Sequence, residues 1–231
     1  MSGLDFDGDY GRQYRQRIRL SIPAYDAVLE LGAAALAAKT PTARQVLVVG
    51  PGASEELPGL LQAMPMARFT LLEPSGQMAE FCRQQIASLH AGSRCSLQQQ
   101  SLAGSGFDPE GFDAVVCHHV LHLLPPQQQQ QDLASMLSQL APGGCLLLSS
   151  YSEPSGQEND PSLLEIIKAR LRMLGMDEAT LELFLSGRNK VVFSLAEELI
   201  QQQAQASGCA PPQVLLRAMF NGLWLIQRPA T

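Results

Sequence analysis

Five cysteines (Cys82, Cys95, Cys117, Cys145 and Cys209) are scattered singly, with no C-x-x-C spacing among them. That absence argues against a thiolate metal site or a disulfide scaffold and fits buried, reduced thiols in a cytoplasmic protein. No apolar run is long enough to span a bilayer, so no membrane partner is expected. The first residues are acidic and polar, so no secretory signal is expected either. A net charge of −6 gives no general attraction to nucleic acid or to anionic membranes. What remains is an ordinary globular composition, 45% hydrophobic and 16% charged, over 231 residues. This length supports one sizeable core, and nothing suggests a second domain.

The chain is organised around Gln45 to Glu56, QVLVVGPGASEE, and an echo at Thr70 to Met78, TLLEPSGQM. Val46, Leu47, Val48 and Val49 run into Gly50-Pro51-Gly52, and a second apolar run ends at Glu73, about twenty residues on. The pattern reads as strand, tight turn, helix and second strand with a carboxylate at its tip. In an open α/β sheet the carboxyl ends of neighbouring strands hold nucleotide-like ligands. Glycines let ligand atoms approach the backbone, and a carboxylate accepts both ribose hydroxyls. A dinucleotide turn needs G-x-G-x-x-G, but the third position here is Glu55, which would repel a diphosphate. The acidic rim instead suits S-adenosyl-L-methionine, a cofactor with a sulfonium, an ammonium and no phosphate.

Two further blocks lie downstream: Gly111 to Leu124, GFDAVVCHHVLHLL, and Leu140 to Leu148, LAPGGCLLL. In order and spacing the four blocks resemble the class I S-adenosylmethionine-dependent methyltransferases. The resemblance implies an α/β, Rossmann-like seven-stranded sheet, mostly parallel with a C-terminal antiparallel hairpin, and helices on both faces. It also implies a single domain over 1–231, with an N-terminal helical cap at 1–40 and a helical lid insertion at 151–193 over a small-molecule acceptor. The apolar spacing of Leu163, Ile166, Ile167, Leu171 and Leu174 would equally suit a homodimer interface.

Along the chain, residues 1–9 read as a mobile acidic start, 104–111 as loop and 151–160 as a polar, loop-like segment. Helices are expected over Ala24 to Ala38, Glu55 to Met64, Ser75 (as N-cap) to about Leu89, and from the glutamine run at Gln127 to Leu140. Two more are expected over Ser162 to Leu174 and Asp177 to Leu185. Ser194-Leu-Ala-Glu197 has the pattern of a capping box, and Gly208 is placed to end the helix it opens. Asn221-Gly222 reads as the turn of a closing hairpin. Gly11 to Arg19 packs four arginines into nine residues. They form either a patch for phosphate groups, RNA included, or a solvated helix face, and the second reading is preferred.

Among class I enzymes the carboxy-S-adenosylmethionine synthase branch is the most similar, through Arg19-Leu-Ser-Ile-Pro-Ala-Tyr25, the four blocks and Met219 to Leu225. The resemblance implies cofactor contacts from Tyr25, Gly50, Pro51, Gly52, Glu73, Pro74, Met78, Ser101, Leu102 and His118. It leaves His119 and His122 as catalytic candidates facing the acceptor, with packing in the core as the alternative for His122. No cysteine or carboxylate completes a metal set with these histidines. The branch's carboxylate-binding arginine is replaced by Gln203, so ordinary S-adenosylmethionine is expected. Val48 stands where the class often has an acid. Ser54 replaces a third glycine, a mild change if it is helical and faces solvent. The function expected is methyl transfer to a small molecule. The alternatives are a tRNA-modifying enzyme and an inactive interaction module.

Overall fold

β-branched and leucine residues, bounded by turn residues, make the strands β1 (Gln45–Val49), β2 (Arg68–Leu72), β3 (Cys95–Gln98) and β4 (Phe112–His118). They are followed by β5 (Leu140–Tyr151), β6 (Gln213–Ala218) and β7 (Asn221–Gln227). The computed structural model describes residues 4–107, 111–154, 156 and 160–230. The expected acidic start and the expected loops at 104–111 and 151–160 therefore fall partly outside the described residues.

The strand order is β3-β2-β1-β4-β5-β7-β6, and β7 alone runs antiparallel to its neighbours. The fold class is the expected mixed seven-stranded sheet. Chain order reverses between β1 and β4, which places a ligand crevice beyond their carboxyl ends. Both faces are covered, which explains why β1 reads as an unbroken apolar run. Val46 and Val48 pack towards α3 (Tyr25–Lys39), α4 (Leu57–Ala63) and α5 (Gly76–Ser88), while Leu47 and Val49 join the cluster under α6 (Pro126–Ser138) and α9 (Glu197–Ala206).

Ser75 caps α5 as expected, its hydroxyl accepting from the Met78 N–H at 3.1 Å. Two short helices, α1 (Asp9–Arg12) and α2 (Tyr14–Ser21), precede α3, whose N-cap Ala24 is left-handed at φ 59°. Helices α7 (Pro161–Met173) and α8 (Glu178–Ser186) follow β5.

Three local expectations need correction. The helix before Pro142 stops at Ser138, because Leu140 already pairs with Phe112; the Pro-Gly-Gly turn lies in a register break inside β5. Ser194 does not cap α9, since its hydroxyl accepts the Glu153 N–H at 2.8 Å and Ala196 takes the cap position. The hairpin turns at Met219-Phe220, with Met219 at φ 57°, while Asn221 and Gly222 sit inside β7 opposite Tyr151 and Ser150. Gly222 is needed there for space: a Cβ would lie 2.2 Å from the Trp224 ring.

Candidate functional site

At the end of β1 both turn glycines are left-handed, Gly50 at φ 62° and Gly52 at φ 56°, a conformation that side chains resist. The Gly50 N–H donates to the Leu72 carbonyl at 2.8 Å, tying the turn to the end of β2. Glu73 then clamps both elements: Oε2 accepts the Gly52 N–H and Oε1 the Ser75 N–H, each at 3.0 Å. Its burial raises the carboxyl's pKa, while those two backbone bonds pull it down. Each oxygen keeps a further lone pair for a hydroxyl donor. Met78 approaches from α5, its Cε 3.4 Å from where a Cβ on Gly52 would stand. Pro51 is buried beside the turn, and Pro74 is exposed at the end of β2.

The other expected contacts are spread along the same edge. Ser101 is exposed, and the side chain of Leu102 belongs to the core with Leu47 and Leu72, leaving only its backbone for a ligand. The His118 ring lies between the Ser149 hydroxyl, 2.9 Å from Nδ1, and Gly32 of α3. Tyr25 is buried with its ring 6.0 Å from that of His119, and the His119 ring is 6.1 Å from that of His122. His118 Nε2, both His119 nitrogens, His122 Nδ1 and the hydroxyls of Ser150 and Ser152 are buried without a hydrogen-bond partner among the described residues. Buried polar groups are normally paired, so this collection at the ends of β4 and β5 fits a ligand or bound water. Burial lowers the pKa of His118 and of His122 to about 4 and holds that of His119 well below 6.5, so all three are neutral at pH 7. Among the described residues no group of His, Cys, Asp or Glu is arranged to hold a metal.

Sequence reasoning missed the N-terminal strap. The Tyr14 ring lies on the glycine turn, 3.8 Å from a Cβ position on Gly52. Asp7 Oδ1 accepts from the Ser75 hydroxyl and the Gln77 N–H, and the Phe6 carbonyl accepts from Gln77 Nε2 at 3.2 Å. Arg19 fastens the far end, pairing with Asp26 at 2.7 Å and Glu55 at 3.0 Å. The recurrence of Phe6, Tyr10 and Tyr14 every four residues was the legible signal. Two of the other three arginines lie over rings, Arg15 on Phe81 and Arg17 on Tyr10, and Arg12 pairs with Asp9.

A cavity of about 740 Å³ lies between α2, α7, α8 and the tip of the β6–β7 hairpin, with His122 and Tyr151 in its wall. Gln203 lies on α9, which packs against α6 and contributes nothing to that wall. No helix among the described residues is long and apolar enough to cross a membrane.

Ser54 departs from expectation. It is left-handed at φ 54° and fully buried, and its hydroxyl donates to Cys82 Sγ. A left-handed conformation costs an ordinary residue about 1–2 kcal/mol, which glycine would avoid at the loss of one weak bond. Ser54→Gly is therefore expected to leave stability within about 1 kcal/mol. Ser54→Val, branched and overpacked, should lose about 2 kcal/mol, roughly 4–8 °C in a calorimetric scan.

Residues 46–144 match a family model described as a methyltransferase domain. No curated protein matches the chain significantly. Among solved structures, an O-methyltransferase family protein from Burkholderia thailandensis is 18% identical with a TM-score of 0.68, covering 94% of this chain and 58% of its own. The magnesium protoporphyrin IX methyltransferase of Synechocystis PCC 6803 with bound SAH is 17% identical at a TM-score of 0.70, covering 96% of each chain. An O-methyltransferase family 2 protein from Planctomyces limnophilus, in complex with apigenin, is 18% identical at 0.65, covering 98% of this chain and 62% of its own. The chain thus spans less than two thirds of the first and third of these proteins. These likenesses establish the fold.

Proposed function

We propose that this chain, which has the methyltransferase fold and matches a methyltransferase domain over residues 46–144, binds S-adenosyl-L-methionine at its glycine turn and methylates a small apolar molecule held under α7 and α8. The observation that carries this reading is Glu73, whose carboxylate is fixed by backbone N–H groups at the tip of β2, beside a turn that side chains would close. Glu73 accepts the ribose hydroxyls. Gly50, Pro51 and Gly52 form the floor, and Met78, Pro74, Ser101 and Leu102 surround the adenine. Tyr25 and His118 sit towards the methionine end. Glu55 adds a carboxylate to this rim, while Glu56, its pKa raised to about 8 by burial, is mostly protonated at pH 7.

When bound, the cofactor supplies an electrophilic methyl group on a sulfonium. The protein's task is to align the acceptor's lone pair with that methyl, which can supply most of the rate. His119 lies behind His122, and His122 reaches the cavity wall. A neutral imidazole there accepts a hydrogen bond from the acceptor's hydroxyl or amine and takes its proton as the new bond forms. Helices α7 and α8 act as the lid that excludes water.

Calorimetric titration with S-adenosylhomocysteine tests the cofactor assignment, and absence of binding heat would leave an interaction module in its place. His122→Phe is expected to slow methyl transfer about tenfold, read as S-adenosylhomocysteine formed with a panel of apolar hydroxylated acceptors. Its affinity for S-adenosylhomocysteine should be unchanged. A variant with wild-type turnover removes His122 from the chemistry.

A further inference from the structure

The wall of the 740 Å³ cavity is mainly apolar, with Leu164, Ile167, Leu171, Phe184, Val192 and Phe220 prominent in it. Its volume is that of a site for a drug-sized ligand. The charges in this wall are unevenly matched. Its acid, Asp177, is committed to the start of α8, where it accepts the Thr180 N–H at 2.9 Å and the Thr180 hydroxyl at 2.7 Å. Arg188 is committed too, to Glu153 at 2.6 Å and the Tyr151 hydroxyl at 3.0 Å.

Arg170 is different. Its Nη1 donates to the Leu20 carbonyl at 2.6 Å and its Nη2 to the Arg19 carbonyl at 3.1 Å, which holds the guanidinium against the end of α2. Those two bonds leave further N–H donors of the five a guanidinium carries. Among the described residues it has no carboxylate partner, and burial alone acts on it, lowering its pKa. Arg17 and Lys190, also in the wall, form no ion pair with the described residues. A chain of net charge −6 thus presents unmatched positive charge at this apolar cavity.

We infer that the methyl acceptor is an apolar molecule carrying one anionic group, a carboxylate or its equivalent, seated in this cavity with that group on Arg170. This rests on the methyltransferase reading and deepens it. An anion here would complete a charge-assisted bond in a partly desolvated setting, where the guanidinium's planar fork favours carboxylate geometry. Arg170 on α7 and His122 beyond β4 line the same cavity from different elements. The anionic end is held at the lid, and the nucleophile lies at the sheet.

A matched pair of fluorescent probes provides the test: 8-anilinonaphthalene-1-sulfonate and N-phenyl-1-naphthylamine, which share a skeleton and differ in the sulfonate. Arg170→Met is expected to weaken the sulfonate about tenfold and to leave the neutral amine unchanged, the effect of one lost charge-assisted bond. Arg170→Lys, which keeps the charge, should recover part of the loss. In the wild-type protein decanoate should displace the sulfonate at lower concentration than 1-decanol. The inference is overturned if Arg170→Met weakens both probes equally or neither, or if decanol competes as well as decanoate. Calorimetry with S-adenosylhomocysteine on the same samples separates the two claims. Absence of cofactor binding with the probe pattern intact would remove the methyltransferase reading and keep the anion site.

Discussion

Glu73→Ala should weaken S-adenosylhomocysteine binding by at least about a hundredfold, measured by calorimetric titration. A hydrogen bond to a charged acceptor contributes about 1.5–3 kcal/mol, so losing two ribose hydroxyl contacts costs about 3–6 kcal/mol, or 10²- to 10⁴-fold. The side chain also joins Gly52 and Ser75 through their N–H groups, so its removal loosens the turn and part of the loss reflects disorder. Thermal unfolding of the same variant measures that share. Glu73→Gln is no gentle control, because one amide NH₂ must face one of the two backbone N–H donors. Glu73→Asp keeps the charge on a shorter arm and should fall between wild type and Ala. The carboxyl's pKa is raised by burial, and the ionised form is the better acceptor, so affinity should fall as pH drops through that raised value. Unchanged affinity in a folded Ala variant would refute the adenosyl site.

The sheet was legible because most of its strands are short apolar runs closed by turn residues, and β2 ends at Leu72, directly before the expected Glu73. Ser75 was legible as a cap because its hydroxyl can donate to Asp7 and still accept the Met78 N–H, so the distant partner does not displace the local one. Local patterns failed where a distant partner claimed the same atoms. Ser194 serves Glu153, forty-one positions away in sequence, and so leaves α9 uncapped. Asn221-Gly222 has the sequence of a turn, but β5 pairs with β7 as far as Asn221, and the Trp224 ring needs the space above Gly222. Ser54 looks exposable in sequence, yet its neighbour Cys82 arrives from α5 and buries it. The glycine turn and Glu73 were readable because strand, turn and acid are contiguous in the sequence. Arg170 and the cavity were not, because they come together only through packing of α2, α7 and α8.

Glu56→Gln should stabilise the protein at alkaline pH by on the order of 3 kcal/mol and have little effect near pH 4. Glu56 stands at the N-cap of α4, 7% exposed, and makes no ion pair with the described residues. Burial raises its pKa to about 8, with Glu55 and Glu73 adding repulsion and only its own backbone N–H opposing. The unfolded chain would release this proton near 4.5, the ordinary value. Between those two values the folded state binds more protons than the unfolded state, so stability falls as pH rises from about 5 to 8 and the loss is complete above that. A neutral amide removes this contribution. Glu73, also raised, keeps a slope of the same sign, so the variant should show a shallower decline rather than none. Chemical denaturation at pH 5, 7 and 9 measures it. A pH profile for Glu56→Gln parallel to that of wild type would mean the folded protein ionises Glu56 at the ordinary value, and that the acidic rim is already charged at pH 5.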